Sequence, residues 1–144
     1  MLRSAVFQLA GAFRSAVETM VQTGNVPMHI QGFPRGCCGI ISELMGDYLN
    51  TVGIGEFFYV CGMKDGSSHA WLEVDSLIVD ITGDQFADRP GIYVDKPDAW
   101  YGEWEEDARH LAIHYPTAFF YGEERRFLER VLEQLKKREP SVMC

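Results

Sequence analysis

The sequence is short of basic residues relative to acidic ones. Its 144 residues contain 13 lysines and arginines against 21 aspartates and glutamates, a formal net charge of −8. Binding to nucleic acid depends on clustered cations that neutralise phosphates, and cations cluster here only near the C-terminus. We therefore expect no nucleic-acid partner, and a neutral or basic substrate suits this charge better than an acidic one.

Cysteine is also scarce, and its four positions do not suit a disulfide framework. Cys37 and Cys38 are adjacent, Cys61 stands alone, and Cys144 is the last residue. A chain with 9 Phe, 6 Tyr and 3 Trp has enough apolar side chains to build a core without cross-links. We therefore expect reduced thiols and a cytoplasmic protein.

Two kinds of hydrophobic segment are missing. The apolar run at the N-terminus is broken by Gln8 and Arg14, and no small-residue cleavage site follows it, so a signal peptide is not expected. No uncharged stretch is long enough to span a bilayer, which predicts no membrane partner. The length predicts a single domain over residues 1–144.

Apolar residues recur at three- and four-residue steps near both ends of the chain. Residues 2–23 show this spacing, which predicts an amphipathic helix packed on the core. Gly24 and Pro27 mark its end, because glycine suits a helix C-terminus and proline cannot continue a helix. Residues 123–139 alternate charge and leucine at helical spacing and predict a C-terminal helix.

The central segment begins with a loop followed by a helix. Pro34 and two glycines predict a loop over residues 28–36, and the apolar spacing that follows predicts a helix over residues 38–50. Cys38 therefore lies in or just before the first helical turn, where unpaired backbone N–H groups and the helix dipole favour a thiolate. Cys37 is expected in the preceding loop.

Three strands are predicted next, over residues 56–62, 68–74 and 77–81. Residues 63–67 are rich in turn formers and join the first two strands, while Asp75 and Ser76 form a two-residue turn between the last two. That turn fixes the register, so one face of the hairpin is wholly apolar and the other carries His69 and Asp80 as diagonal neighbours. Diagonal neighbours are near enough to share a hydrogen bond.

The chain after these strands is less regular. A turn-rich segment leads to a short strand predicted at residues 92–94, and an acidic, aromatic stretch follows at residues 97–107. Trp100, Tyr101 and Trp104 in that stretch have two equally good interpretations: they line a substrate cleft, or they cover an edge of the core.

Cys38, His69 and Asp80 are the candidate catalytic residues. A thiol attacks a carbonyl well only as a thiolate, so it needs a base beside it, and the base needs a third group that orients its ring. A cysteine at a helix start coincides here with a histidine and an aspartate on one strand face, which predicts a triad.

The three motifs around these residues resemble a known superfamily. They read Gly-Cys-Cys-Gly at 36–39, His-Ala-Trp-Leu-Glu-Val at 69–74 and Val-Asp-Ile-Thr at 79–82. They are similar to the papain-like superfamily in its transglutaminase-like branch, which includes arylamine N-acetyltransferases and the cysteine proteases of lasso-peptide maturation. The resemblance implies an α+β fold in which a nucleophile helix packs against an antiparallel sheet, here with added N- and C-terminal helices.

The resemblance also implies a role for each candidate. Cys38 matches the nucleophile, because Ser42 completes a Cys-x-x-x-Ser pattern, while His69 matches the base and Asp80 the orienting acid. Gln31 lies where papain-like enzymes keep an oxyanion-hole glutamine, at a spacing that suits Cys37 better, and the backbone N–H of Cys38 is the other candidate donor.

The function that this site implies is thiol-dependent acyl transfer or amide hydrolysis through an acyl-enzyme on Cys38. The substrate would be a peptide, a protein or a small acyl compound, with no cofactor and no metal. A binding module that retains the fold without turnover is the alternative. A zinc site is disfavoured because the cysteines form no Cys-x-x-Cys pair; its ligands would be Cys37, Cys38, Cys61 and His69.

Overall fold

The computed structural model describes residues 2–138, so Cys144 and the predicted helix end at Glu139 lie outside the described range. Within that range the chain is an α+β protein in which helices pack on an antiparallel sheet. Its helices are α1 (Leu2–Thr23), α2 (Cys38–Val52), α3 (Ala99–Gly102) and α4 (Tyr121–Arg138). Its strands are β1 (Phe58–Lys64), β2 (Ser67–Val74), β3 (Leu77–Asp80), β4 (Tyr93–Asp95) and β5 (Glu105–Leu111).

The long helices α1 and α4 pack against each other. The predicted N-terminal helix is confirmed with its predicted bounds, and its inward face consists of buried apolar side chains: Val6, Ala10, Phe13, Ala16, Val17 and Met20. α4 buries Phe127, Leu128 and Val131 in the same core. None of the described helices combines the length and the apolar character needed to cross a bilayer.

α2 begins at Cys38, as predicted, and ends where Gly53 takes a left-handed conformation at φ 87°. Glycine adopts this conformation without the steric cost that a Cβ atom would add. Gly46 allows the helix to approach the sheet closely, since a Cβ atom there would lie 2.8 Å from Cδ2 of Leu72. The close approach packs α2 on β2 and β1.

The sheet has the strand order β4-β3-β2-β1-β5, and neighbouring strands are antiparallel. Asp75 and Ser76, at φ 47° and 67°, join β2 to β3, and the predicted turn and register are confirmed. The loop between β1 and β2 differs from the prediction, because it consists of Asp65 and Gly66 rather than five residues. Asp-Gly suits the positive φ values of a tight hairpin turn, so the strands continue to its edge.

β5 runs through the acidic stretch, where no strand is predicted. Glu105–Leu111 carries charges at most positions and lacks the alternation of apolar and polar residues that marks a half-buried strand. It forms a strand because it pairs with the free edge of β1. As an edge strand it keeps most of its charged side chains in water.

Both faces of the central hairpin are covered. On one face Leu72 and its neighbours pack with α1 and α2 in an aliphatic core. On the other face Trp71 packs with Tyr101 and Trp104 from the aromatic stretch. The predicted alternation of the two faces is confirmed, but the face that carries His69 is buried beneath aromatic rings rather than open to solvent.

Candidate active site

The adjacent cysteines at the start of α2 lie in different environments. Cys37 precedes the helix and its side chain is buried in the aliphatic core, which raises its pKa to about 12. Cys38 is partly exposed. Burial raises the pKa of Cys38 too, but a hydrogen bond to His69 and the charge of that ring outweigh it, and the net pKa is lowered. The thiolate therefore forms at Cys38 rather than at Cys37.

Two further groups donate hydrogen bonds to the Cys38 sulfur. The backbone N–H of Ala70 donates from β2 and the side chain of Gln85 donates from the short 3-10 helix Gly83–Gln85, and each lowers the pKa of Cys38. Ser42, one turn along α2, is buried and donates its hydroxyl to the Ala70 carbonyl at 3.3 Å. Ser42 thus ties the nucleophile helix to the strand that carries His69.

β2 and β3 bring His69 and Asp80 together, as the hairpin register predicts. Nε2 of His69 lies 2.7 Å from Oδ2 of Asp80, and both side chains are fully buried. This bond occupies Nε2 as a donor and leaves Nδ1 for the thiol; the Gln85 amide nitrogen lies 3.3 Å from Nδ1 and donates to it only when the ring is neutral. The thiol, the imidazole and the carboxylate therefore follow each other in the order that a catalytic triad requires.

The electrostatics of His69 favour its charged form. Burial lowers the pKa of His69, but hydrogen bonds and charges of Asp80 and Cys38 raise it more, to about 9. An imidazolium beside a thiolate is therefore the favoured pair at neutral pH. Such a buried pair is stable only when each charge keeps its partners.

Asp80 accepts hydrogen bonds on both carboxylate oxygens. Oδ2 accepts from the Tyr101 hydroxyl at 2.7 Å as well as from His69. Oδ1 accepts from the Thr82 backbone N–H at 2.9 Å and from the Thr82 hydroxyl at 3.3 Å. These four donors match the four lone-pair sites of a carboxylate, so the buried charge is fully compensated.

Aromatic side chains enclose the His69 ring. The nearest ring centroids lie 5.1 Å away for Phe86, 5.6 Å for Trp71, 5.8 Å for Trp104 and 5.9 Å for Trp100. A cavity of roughly 190 Å³ opens beside three of these rings, those of Phe86, Trp100 and Trp104. The base is thus shielded from bulk water, which strengthens its electrostatic interactions.

A second histidine–carboxylate pair is buried elsewhere. Nε2 of His114 lies 2.9 Å from Oε1 of Glu124, and Nε2 of His29 lies 2.8 Å from Oε2 of the same carboxylate. Nδ1 of His114 is buried and has no hydrogen-bond partner within residues 2–138. This pair therefore has no thiol on its free ring nitrogen.

The structure does not bring Gln31 to the Cys38 thiol, and it does not bring the candidate zinc ligands together among the described residues. Gln31 is exposed in the turn after the short helix Met28–Ile30, while Gln85 is the glutamine that reaches the Cys38 thiol. No cluster of three or more metal-ligating side chains occurs among the described residues. Cys61, on β1, is partly exposed, and burial together with the charge of Asp107 raises its pKa.

Comparison of the chain with protein-family models, curated proteins and solved structures gave no match. The assignment of the site therefore depends on the geometry within this chain. Sequence reasoning missed Gln85 altogether, and it left two interpretations open for Tyr101 as part of the aromatic stretch. Both reach the site from short helices outside the three motifs, so spacing along the sequence carries no signal for them.

Proposed function

We propose that this protein is a thiol-dependent enzyme that transfers acyl groups or hydrolyses amides, on a papain-like core of the transglutaminase-like kind. One observation carries the proposal: His69 bonds to Asp80 at 2.7 Å through one nitrogen and lowers the pKa of the Cys38 thiol through the other side of its ring. That arrangement is the activated nucleophile of acyl-transfer enzymes. The packing of α2, which begins at Cys38, on β2 supports the finer fold assignment.

In the first half of the reaction the Cys38 thiolate attacks the carbonyl carbon of the substrate. The carbonyl electron pair moves onto oxygen, where the unpaired backbone N–H of Cys38 and the side-chain amide of Gln85 are the candidate donors. His69 then gives its Nδ1 proton to the leaving amine, the carbon–nitrogen bond breaks, and an acyl-enzyme and a neutral imidazole remain.

In the second half a water molecule or an amine attacks the thioester. His69 takes the proton of the attacking group, and the carbon–sulfur bond breaks to return the thiolate beside an imidazolium. Asp80 stays charged throughout and holds the ring with Nε2 as a donor. Hydrolysis and transfer differ only in which nucleophile enters, so one site serves both.

A second function is favoured by one observation. His69 is fully buried beneath Phe86, Trp100 and Trp104, which suits a binding module that retains the fold but does not turn substrate over. Under this alternative Cys38 would react once with an acylating reagent, and the acyl group would stay on the protein.

The test is a screen of the purified protein with acyl-donor probes, read by intact mass and by release of the leaving group. We expect an acyl adduct on Cys38 that decays by hydrolysis in aqueous buffer or by transfer to an added amine. Cys38→Ala should abolish the adduct, while Cys61→Ala, a matched loss of one partly exposed thiol, should retain it. A permanent adduct on Cys38 would support the binding module, and an adduct on Cys37 would contradict the assignment of the nucleophile.

A further inference from the structure

We infer that Tyr101 is a positioning residue of the active site, which acts on His69 through Asp80. The inference rests on the proposed function. The Tyr101 hydroxyl donates to Oδ2 of Asp80 at 2.7 Å, and the same oxygen accepts from Nε2 of His69 at 2.7 Å. Two donors on one oxygen share its charge, so a change at either one is felt by the other.

The Tyr101 ring is held in place by contacts on several sides. Its backbone N–H donates at 3.2 Å to Asp98, the residue before α3. The Arg89 guanidinium lies 5.2 Å from the centre of the Tyr101 ring and 2.9 Å from the Asp98 carboxylate. Trp71 packs against the ring at 5.3 Å between centroids. Because these contacts fix the ring independently of His69, the hydroxyl can restrain the Asp80 carboxylate.

The hydroxyl is a permanent donor. Burial and the negative charge of Asp80 raise the pKa of Tyr101, so the group stays protonated at every pH at which the enzyme would work. The charged groups around it are the Asp80 carboxylate, the His69 imidazolium that Asp80 supports, and the Arg89–Asp98 pair. No titration of Tyr101 itself is therefore needed for its effect.

Removal of this hydroxyl would leave the buried Asp80 charge one donor short. A buried carboxylate that loses a donor draws more strongly on the His69 imidazolium, which leaves less positive charge to stabilise the Cys38 thiolate, so the thiolate should form at a higher pH. The remaining bonds from His69 and Thr82 would still hold the carboxylate in the site. The expected change is therefore a shift of the pH profile and not a collapse of the fold.

The experiment measures the rate of Cys38 alkylation by iodoacetamide against pH, with the modified site located by peptide mass. In Tyr101→Phe we expect the acid limb of the profile to move up by about half a pH unit or more. Tyr93→Phe is the matched control: its ring lies 4.8 Å from that of Tyr101, but its hydroxyl donates to the Lys96 carbonyl. The control profile should superimpose on that of the unmodified sequence.

A second readout separates positioning from mere packing. The proton on Nε2 of His69 should resonate further downfield in Tyr101→Phe, because Oδ2 then accepts from His69 without a competing donor. A melting temperature recorded on both variants shows that the fold is intact.

If the acid limb lies at low pH in the unmodified protein and does not move in Tyr101→Phe, this inference is wrong and the proposed function is unaffected. If the unmodified protein already shows an ordinary thiol limb at about 8.5, no ion pair exists, and the proposed function and this inference are both wrong.

Discussion

Residues 2–138 contain two buried histidine–carboxylate pairs, and they differ in what lies on the other ring nitrogen. His69 and Asp80 approach to 2.7 Å, and His114 and Glu124 to 2.9 Å, so the two pairs are nearly equal in length. The far side of the His69 ring meets the Cys38 thiol. Nδ1 of His114 has no hydrogen-bond partner among the described residues.

The carboxylates differ as well. Asp80 is the last residue of β3 and accepts from donors that all belong to one site. One Glu124 oxygen bonds to His114 and the other to His29. Glu124 therefore joins α4 to the segment that contains His114 and to the short helix Met28–Ile30. A buried histidine–carboxylate pair is therefore not a catalytic signature by itself. Under the proposed function the thiol at a helix start makes the first pair reactive, while the second cross-links the structure.

The largest effect is expected for His69→Asn. Without the imidazolium the Cys38 thiol returns to an ordinary or higher pKa, and at about pH 6 its alkylation by iodoacetamide should fall about 100-fold or more. His114→Asn, the matched change in the other pair, should leave the rate unaltered. Equal losses in both variants would show that the thiol responds to general unfolding and not to its own histidine.

Asp80→Asn should have the next largest effect. The amide cannot hold the imidazolium as a carboxylate does, so turnover of any acyl substrate found in the screen should fall by about 100-fold or more with the fold retained. Glu124→Gln is the control, with turnover unchanged. Comparable activity in Asp80→Asn and the unmodified protein would remove Asp80 from the triad.

The third prediction concerns the pKa of His69, the histidine of the pair that meets the thiol. Its pKa is raised to about 9 by Asp80 and Cys38 despite burial, so NMR of the labelled imidazole should show the ring charged through neutral pH and losing its proton as the pH rises through about 9. In Asp80→Asn the proton should be lost at a lower pH, because burial then acts with less opposition. A midpoint near about 6.5, the ordinary histidine value, in the unmodified protein would contradict the ion pair.

Glu124→Gln should show its effect in stability. The change weakens two hydrogen bonds to histidines, and we expect the free energy of unfolding to fall by about 1 to 3 kcal/mol in urea titrations. The rate of Cys38 alkylation should not move. A loss of thiol reactivity with an intact fold would mean that the second pair also supports the site.

The smallest effect is expected for Asp84→Asn. The Asp84 carboxylate pairs with an arginine instead of a histidine. Arg14 donates to both Asp84 oxygens at 2.8 and 2.7 Å and also to the Ile81 and Gly91 carbonyls. We expect the free energy of unfolding to fall by about 1 kcal/mol, with thiol reactivity unchanged. Thermal melting alongside alkylation checks both, and a reactivity loss as large as that of Asp80→Asn would make Asp84 part of the site.

The elements that could be predicted are those set by neighbours in the sequence. α1 follows from its apolar spacing, and the start of α2 from the loop before Cys38. The pairing of His69 with Asp80 follows from the two-residue turn at Asp75 and Ser76, because a turn of fixed length sets the register of every residue beyond it. His69 and Asp80 are brought together for this local reason, whereas Cys38 reaches them through the packing of α2 on β2.

Tertiary structure decided the rest. β5 became a strand because the edge of β1 was available to it. Gln85 and Tyr101 reached the site from short helices whose position depends on packing against distant elements, such as the Arg14 contact that holds the segment around Asp84. Such contacts join residues far apart in the chain, and no local spacing encodes them. The sequence by itself determined which groups can react. The tertiary packing decided which donors surround them and in which direction the pKa of each group is shifted.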